Sequence, residues 1–126
     1  MIDRTIAAML LVVAAIHLIP VAGFFGGSRL RALYGIDTAD GTLEILLRHR
    51  AVLFGTVGAF FAYAAFVPIL QPIAFVGAFI SIATFFLLAA TVEHEGPAIR
   101  KIVAADVVAS VCLVLAVALY YLREGH

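Results

Sequence analysis

Apolar residues run along this chain in long blocks instead of alternating with polar ones. From Thr5 to Phe25 no charged residue occurs in 21 positions, and Gly26 and Gly27 close the block. From Ala51 to Val92 none occurs in 42. A last apolar stretch, about Ala98 to Leu122, carries Arg100, Lys101 and Asp106 only near its start. About 20 helical residues cross the hydrocarbon of a bilayer, so the first block is long enough for one span and the second is too long for one. Pro68 and Pro72, in VPILQP, divide the second block into a helical hairpin. Its first arm runs from about Thr42 to Val67, in the membrane from about Leu46, and its second from Ile73 to Val92. Gly96 and Pro97 then break the chain, and proline suits the first turn of a new helix. The pattern predicts an all-α polytopic membrane protein, one integral domain over 1–126, with spans at about 5–25, 46–67, 73–92 and 98–122. Short connections between helices give a four-helix up-down bundle.

Composition agrees with that reading. The chain is 65% hydrophobic and 13% charged, about half the charge of an average soluble protein, and its mean hydropathy is +1.17. A surface so poor in charge is suited to lipid. Formal net charge is zero with no basic run, which gives nucleic acid no footprint. A single cysteine, Cys112, excludes an intrachain disulfide, a CxxC redox pair and a cysteine-rich zinc site. The first apolar block exceeds the ~7–15 residues of a signal-peptide core and has no clear cleavage site, so it reads as a span and not as a leader.

The first connection, GGSRLRALYGID, has Ser28 to cap a short helix and Gly35 to end it. Leu30 and Leu33 would face the bilayer while Arg29 and Arg31 meet headgroups, which predicts an interfacial helix between spans one and two. Asp40 would cap the second span. Arg29, Arg31, Arg48, Arg50, Arg100 and Lys101 fall on the side of the first and third connections, whereas only Arg4 and Arg123 accompany the termini. The positive-inside rule then places those connections in the cytoplasm and both termini outside, in a bacterial inner membrane. Gly55/Ala59, Gly58/Ala62 and Ala74/Ala78 have the small-xxx-small spacing that lets helices approach closely.

Sorting the remaining polar residues by depth produces a constellation at the same end. Arg48, His49 and Arg50 enter with span two; Glu93, His94 and Glu95 leave with span three; Arg100, Lys101 and Asp106 enter with span four. His17 and Asp106 lie deeper, about 12 and 13 Å into their helices at 1.5 Å per residue. A charge at the centre of a bilayer costs at least ~2.5–3.5 kcal/mol, so Asp106 needs a partner or a proton. Side chains lean toward the N-terminus of their own helix, so Arg50 and Asp106, on helices entering from one face, can meet. Val103, Asp106, Ser110 and Leu113 share a face taken as interior.

Two readings of the constellation stay open. In one, it is a structural network: Asp106 neutralised by Arg48 or Arg50, His17 bonded to a backbone carbonyl, and the rest reaching headgroups. In the other, it lines a cytoplasm-facing cavity for an amphipathic, anionic small molecule or lipid. Arg48, His49, Arg50, Glu93 and His94 would then hold the ligand, and His17 and Asp106 are the candidate catalytic, proton-exchanging pair. No cofactor or metal is expected. Glu93, His94 and Glu95 are consecutive and splay on a helix, His17 and His49 differ in depth, and no GxxxxGK, GxSxG or HExxH motif occurs. A small proton-coupled transporter is one rival, although its acid would be expected in the first helix. A non-catalytic subunit that docks a membrane partner or a second copy through Gly/Ala seams is another.

Three motifs carry a resemblance. His17–Pro20 reads His-Leu-x-Pro, Arg29–Gly35 reads Arg-Leu-x-x-Leu-Tyr-Gly, and Leu46–Gly55 reads Leu-Leu-Arg-His-Arg-Ala-Val-Leu-Phe-Gly. Over nearly its whole length the chain resembles uncharacterised small bacterial inner-membrane proteins, DoxX-like in size and layout. The resemblance implies the four-helix fold and no activity. Some such proteins carry the label phosphopantetheine adenylyltransferase. The nucleotide-binding His-x-Gly-His motif of that soluble enzyme is missing here, as is any phosphate-binding strand-loop-helix, so the label is rejected.

Overall fold

A computed structural model describes residues 1–26, 31–32, 41–92 and 97–125. The described residues are almost entirely helical, without strands. Four long helices dominate: α1 (Ile2–Leu18), α2 (Gly41–Ala64), α3 (Gln71–Thr91) and α4 (Pro97–Glu124). Each, with its short 3₁₀ extension where it has one, is long and apolar enough to cross a membrane. The proposed interfacial helix falls almost entirely outside the described residues.

The helix ends follow from local chemistry. Pro20 has no N–H to give the carbonyl four residues back, and its ring clashes there. The α-helix accordingly stops at Leu18, and Ile19–Phe25 continues as a tighter 3₁₀ coil. The predicted first span is thus two kinds of helix in series. Gly26, at φ +126°, adopts a backbone that side chains other than hydrogen disfavour, and it ends the coil. Pro68 opens a one-turn 3₁₀ connection, Pro68–Leu70, that feeds α3. The predicted arms of the hairpin agree with α2 and α3 to within a few residues.

Side-chain contacts fix the topology. Asp3 meets Arg123, so α1 and α4 run antiparallel. Leu18 lies on Gly58 and Val21 on Gly55, which sets α2 antiparallel to α1. Phe75 meets Tyr120 edge to face at 5.6 Å, and α3 and α4 are antiparallel as well. Close backbone approaches follow the order α1–α2–α3–α4–α1, with the α2–α3 seam the loosest. This is an up-down-up-down bundle whose first and third connections share one end.

The interior is narrow and built largely from small residues. Ala14, Ala64, Ala74, Ala78, Ala109 and Ala116 are buried beside Ile6, Leu10, Val13 and Phe61. Gly58 tightens this seam further, because a Cβ there would sit 2.9 Å from Leu18 and 3.2 Å from the Ala14 carbonyl oxygen. Ala59, by contrast, is exposed, so the predicted Gly55/Ala59 pair does not form one seam; Gly55 and Gly58 of α2 receive Val21 and Leu18. Large apolar residues such as Phe79, Leu88, Val114 and Tyr121 face outward. Only 17–33% of each helix's most apolar window is buried. Such a molecule hides small residues and displays large ones, the distribution suited to an apolar solvent.

Candidate functional site

At the end carrying the first and third connections, the helices enclose a cavity of about 340 Å³. The floor is built by α1 and α4, which supply His17 and Asp106; α2 contributes Arg50 and Phe54, α3 contributes Ser81 and Phe85, and Lys101 stands on α4 nearer the end. Ile16, Ile19, Pro20, Ile102 and Ala105 complete apolar walls, and Ala32 reaches in from the first connection. All four helices therefore meet here around five polar side chains.

His17 is the most constrained of these. It is buried on α1, and its Nδ1 lies 2.9 Å from the Val13 carbonyl oxygen one turn earlier. A carbonyl only accepts, so Nδ1 carries a proton. In the neutral ring Nε2 is then a bare lone pair, and it lies 2.9 Å from the Ser81 hydroxyl, which donates to it across the bundle. Two aromatic rings pin the imidazole. Phe54 stacks on it at 5.7 Å with a 24° interplanar angle, and Phe61 meets it edge to face at 5.0 Å. Arg50 extends the stack, its guanidinium carbon 4.4 Å above the Phe54 ring.

Asp106 is buried on the inward face of α4, in line with Ala109, Leu113 and Ala116. Val103 and Ser110, predicted on that face, lie half-buried at its edge. Within the described residues no hydrogen bond or ion pair to the Asp106 carboxyl occurs; His17, Arg50 and Lys101 share its cavity. The expected Arg50–Asp106 contact is therefore a shared cavity and not a direct bridge. His17 does take a backbone carbonyl, as the structural-network reading expected.

Arg48, His49 and Arg50 do not converge on one place. Successive helical residues point about 100° apart. Arg50 faces the cavity, His49 is exposed, and Arg48 turns to the tail of α1. There its Nε donates to the Phe24 carbonyl at 2.9 Å and its guanidinium covers the Phe24 ring at 5.3 Å. Glu44, one turn away, approaches Arg48 at 3.8 Å. Glu93 and His94, the other expected ligand-holding residues, lie outside the described residues.

Sequence reasoning passed over Ser81 and Phe54, and it placed Lys101 at this end without a ligand-holding role. What distinguishes Ser81 lies in the structure and not in the chain. Thr5, Thr56, Thr84, Thr91 and Ser110 each return their hydroxyl to the carbonyl four residues earlier, the ordinary resting place of a helical hydroxyl. The Ser81 hydroxyl instead crosses to another helix. Among the described residues no cluster of His, Cys, Asp and Glu is arranged to hold a metal ion.

Comparison with family models, curated proteins and solved structures finds no match to this chain.

Proposed function

We propose that this is a multi-pass inner-membrane protein whose cavity binds an amphipathic, anionic small molecule or lipid from the cytoplasmic side. The observation that carries the reading is the lining of that cavity. Arg50 and Lys101 bring two positive charges against one buried acid, Asp106, within walls of Ile, Phe, Pro and Ala. Cationic side chains at the cavity suit an anionic head, while the walls suit a hydrocarbon tail. About 340 Å³ falls within the range of ligand pockets, roughly 300–1,000 Å³. Arg50 and Lys101 take the ligand-holding role expected of Arg48, His49 and Arg50 together.

Native mass spectrometry of the protein purified in several mild detergents tests this. A retained acidic lipid or metabolite, diminished in Arg50→Gln and Lys101→Gln, is the expected result. Bare protein in every detergent overturns it.

The lack of a described partner for the buried Asp106 carboxyl, beside His17 in the same cavity, favours a second reading, proton-coupled transport. Under it, proteoliposomes show flux of the retained ligand that collapses in Asp106→Asn. Under simple binding, no flux is seen and the variant keeps its ligand.

A further inference from the structure

The Ser81–His17 pair has the arrangement that activates a hydroxyl. Its base is held in the required tautomer, because Nδ1–H is committed to the Val13 carbonyl at 2.9 Å and Nε2 faces the Ser81 hydroxyl at 2.9 Å. In a serine–histidine–carboxylate site the third member orients the imidazole through Nδ1–H; a backbone carbonyl does so here. Phe54 and Phe61 fix the ring plane. The hydroxyl has left its default intrahelical acceptor, unlike five other helical hydroxyls of this chain. Both members border the cavity, where Arg50 and Lys101 also stand.

A hydrogen bond that merely tied α1 to α3 would be served as well by a dry contact in the packed core. This one borders a space with room for a reacting group, positive charge nearby for a developing oxyanion, and an acid to balance the ring once protonated. We infer that Ser81 is a nucleophile and His17 its general base, and that the cavity cleaves the ester or thioester bond of an amphipathic acyl compound. The inference rests on the ligand-binding reading above and adds chemistry to it.

The steps balance without an oxidant or reductant. Ser81 Oγ attacks the acyl carbon as its proton passes to His17 Nε2. The bond from acyl carbon to the leaving oxygen or sulfur breaks, and Nε2 returns the proton to the departing alcohol or thiol. Water then attacks the acyl-serine and gives its proton to Nε2. The Oγ–acyl bond breaks, Oγ recovers the proton, and a carboxylic acid departs. Once that acid gives up its proton to water, its carboxylate is of the kind Arg50 and Lys101 would hold.

The test uses the full chain in mild detergent with an alkyl fluorophosphonate, which phosphonylates activated serines with loss of fluoride. The expected result is one adduct by intact mass, mapped to Ser81, absent in Ser81→Ala and slowed about 100-fold or more in His17→Gln, the range a general base contributes. Thermal melts establish that each variant is folded. Folded wild-type protein that takes no adduct overturns the inference, as does undiminished labelling of folded His17→Gln. Should His17→Gln fail to fold, hydrolysis of a medium-chain p-nitrophenyl ester by wild type and Ser81→Ala decides. Loss of turnover in the variant supports the dyad, and equal rates overturn it. Retained ligand without an adduct removes only the chemistry; bare protein without an adduct removes the binding reading too.

Discussion

Two glycines on neighbouring helices show how much one hydrogen atom can decide. At Gly58 an added Cβ would lie 2.9 Å from Leu18 Cγ and Cδ2 and 3.2 Å from a backbone oxygen of α1. The backbone cannot yield without separating α1 from α2, so Gly58→Ala is expected to destabilise the bundle by about 1–3 kcal/mol, as overpacking does elsewhere. At Gly77 the same addition meets only Phe61, at 3.6 Å, an ordinary contact. Gly77→Ala should be neutral or stabilising by up to ~1 kcal/mol, the gain in helix propensity. Equilibrium unfolding of both variants in mixed micelles checks the contrast. A Gly58→Ala protein as stable as wild type would show that the α1–α2 seam is looser than drawn. Both glycines occupy helical positions in similar apolar runs, and the chain alone does not reveal which of them faces a backbone. Their difference belongs to packing.

Among the elements, the tail of α1 shows the largest departure from the sequence reading. Thr5–Phe25 reads as one uninterrupted span because hydropathy registers no break at Pro20. The backbone does register it, by switching to a 3₁₀ coil after Leu18. Coils of that type rarely run beyond three or four residues, and this one spans seven, Ile19–Phe25. Arg48 is the added support, its Nε bonded to the Phe24 carbonyl near the end of the coil. Arg48→Gln should therefore raise amide hydrogen exchange over residues 21–25 and cost about 1 kcal/mol, the net worth of one hydrogen bond. Glu44→Gln should change neither by more than ~0.5 kcal/mol, because an exposed i,i+4 pair contributes little. Equal effects from the two variants would mean that Arg48 acts through Glu44 and not through the coil. Helix number, approximate bounds and the end of the bundle where charge collects were all legible, since block length and proline positions are strong signals in so apolar a chain. Rotational phase was less so. RHR reads as one cluster on paper, yet a helix sends its three members in three directions. Ser81, one hydroxyl in an uncharged run, becomes conspicuous only once His17 is seen opposite it.

For the whole molecule the remaining question is which way it sits. An even number of spans would put both termini on one side, and the Asp3–Arg123 pair, at 2.6 Å, holds the start of α1 and the end of α4 at one end of the bundle. The positive-inside rule counts cations free to respond to the membrane, and the fold shows that not all of them are. Arg48 serves the α1 tail, Arg50 covers Phe54, and Arg123 is tied to Asp3. Setting these aside, together with Arg31, which has a partner of its own, leaves Arg100 and Lys101 against Arg4 among the described residues. The asymmetry keeps its sign, so the proposed orientation survives removal of the arginines most committed to internal contacts. Single cysteines placed in a Cys112→Ala background check it. Gly41→Cys and Gly125→Cys suit opposite ends, since a Cβ at either meets nothing closer than 3.4 Å. A membrane-impermeant maleimide applied to intact spheroplasts is expected to label Gly125→Cys at once and Gly41→Cys only after lysis. The reverse order would invert the molecule, and the cavity would then open to the outside. In that case a cytoplasmic acyl compound could no longer be its ligand, even if every contact around His17 stood unchanged.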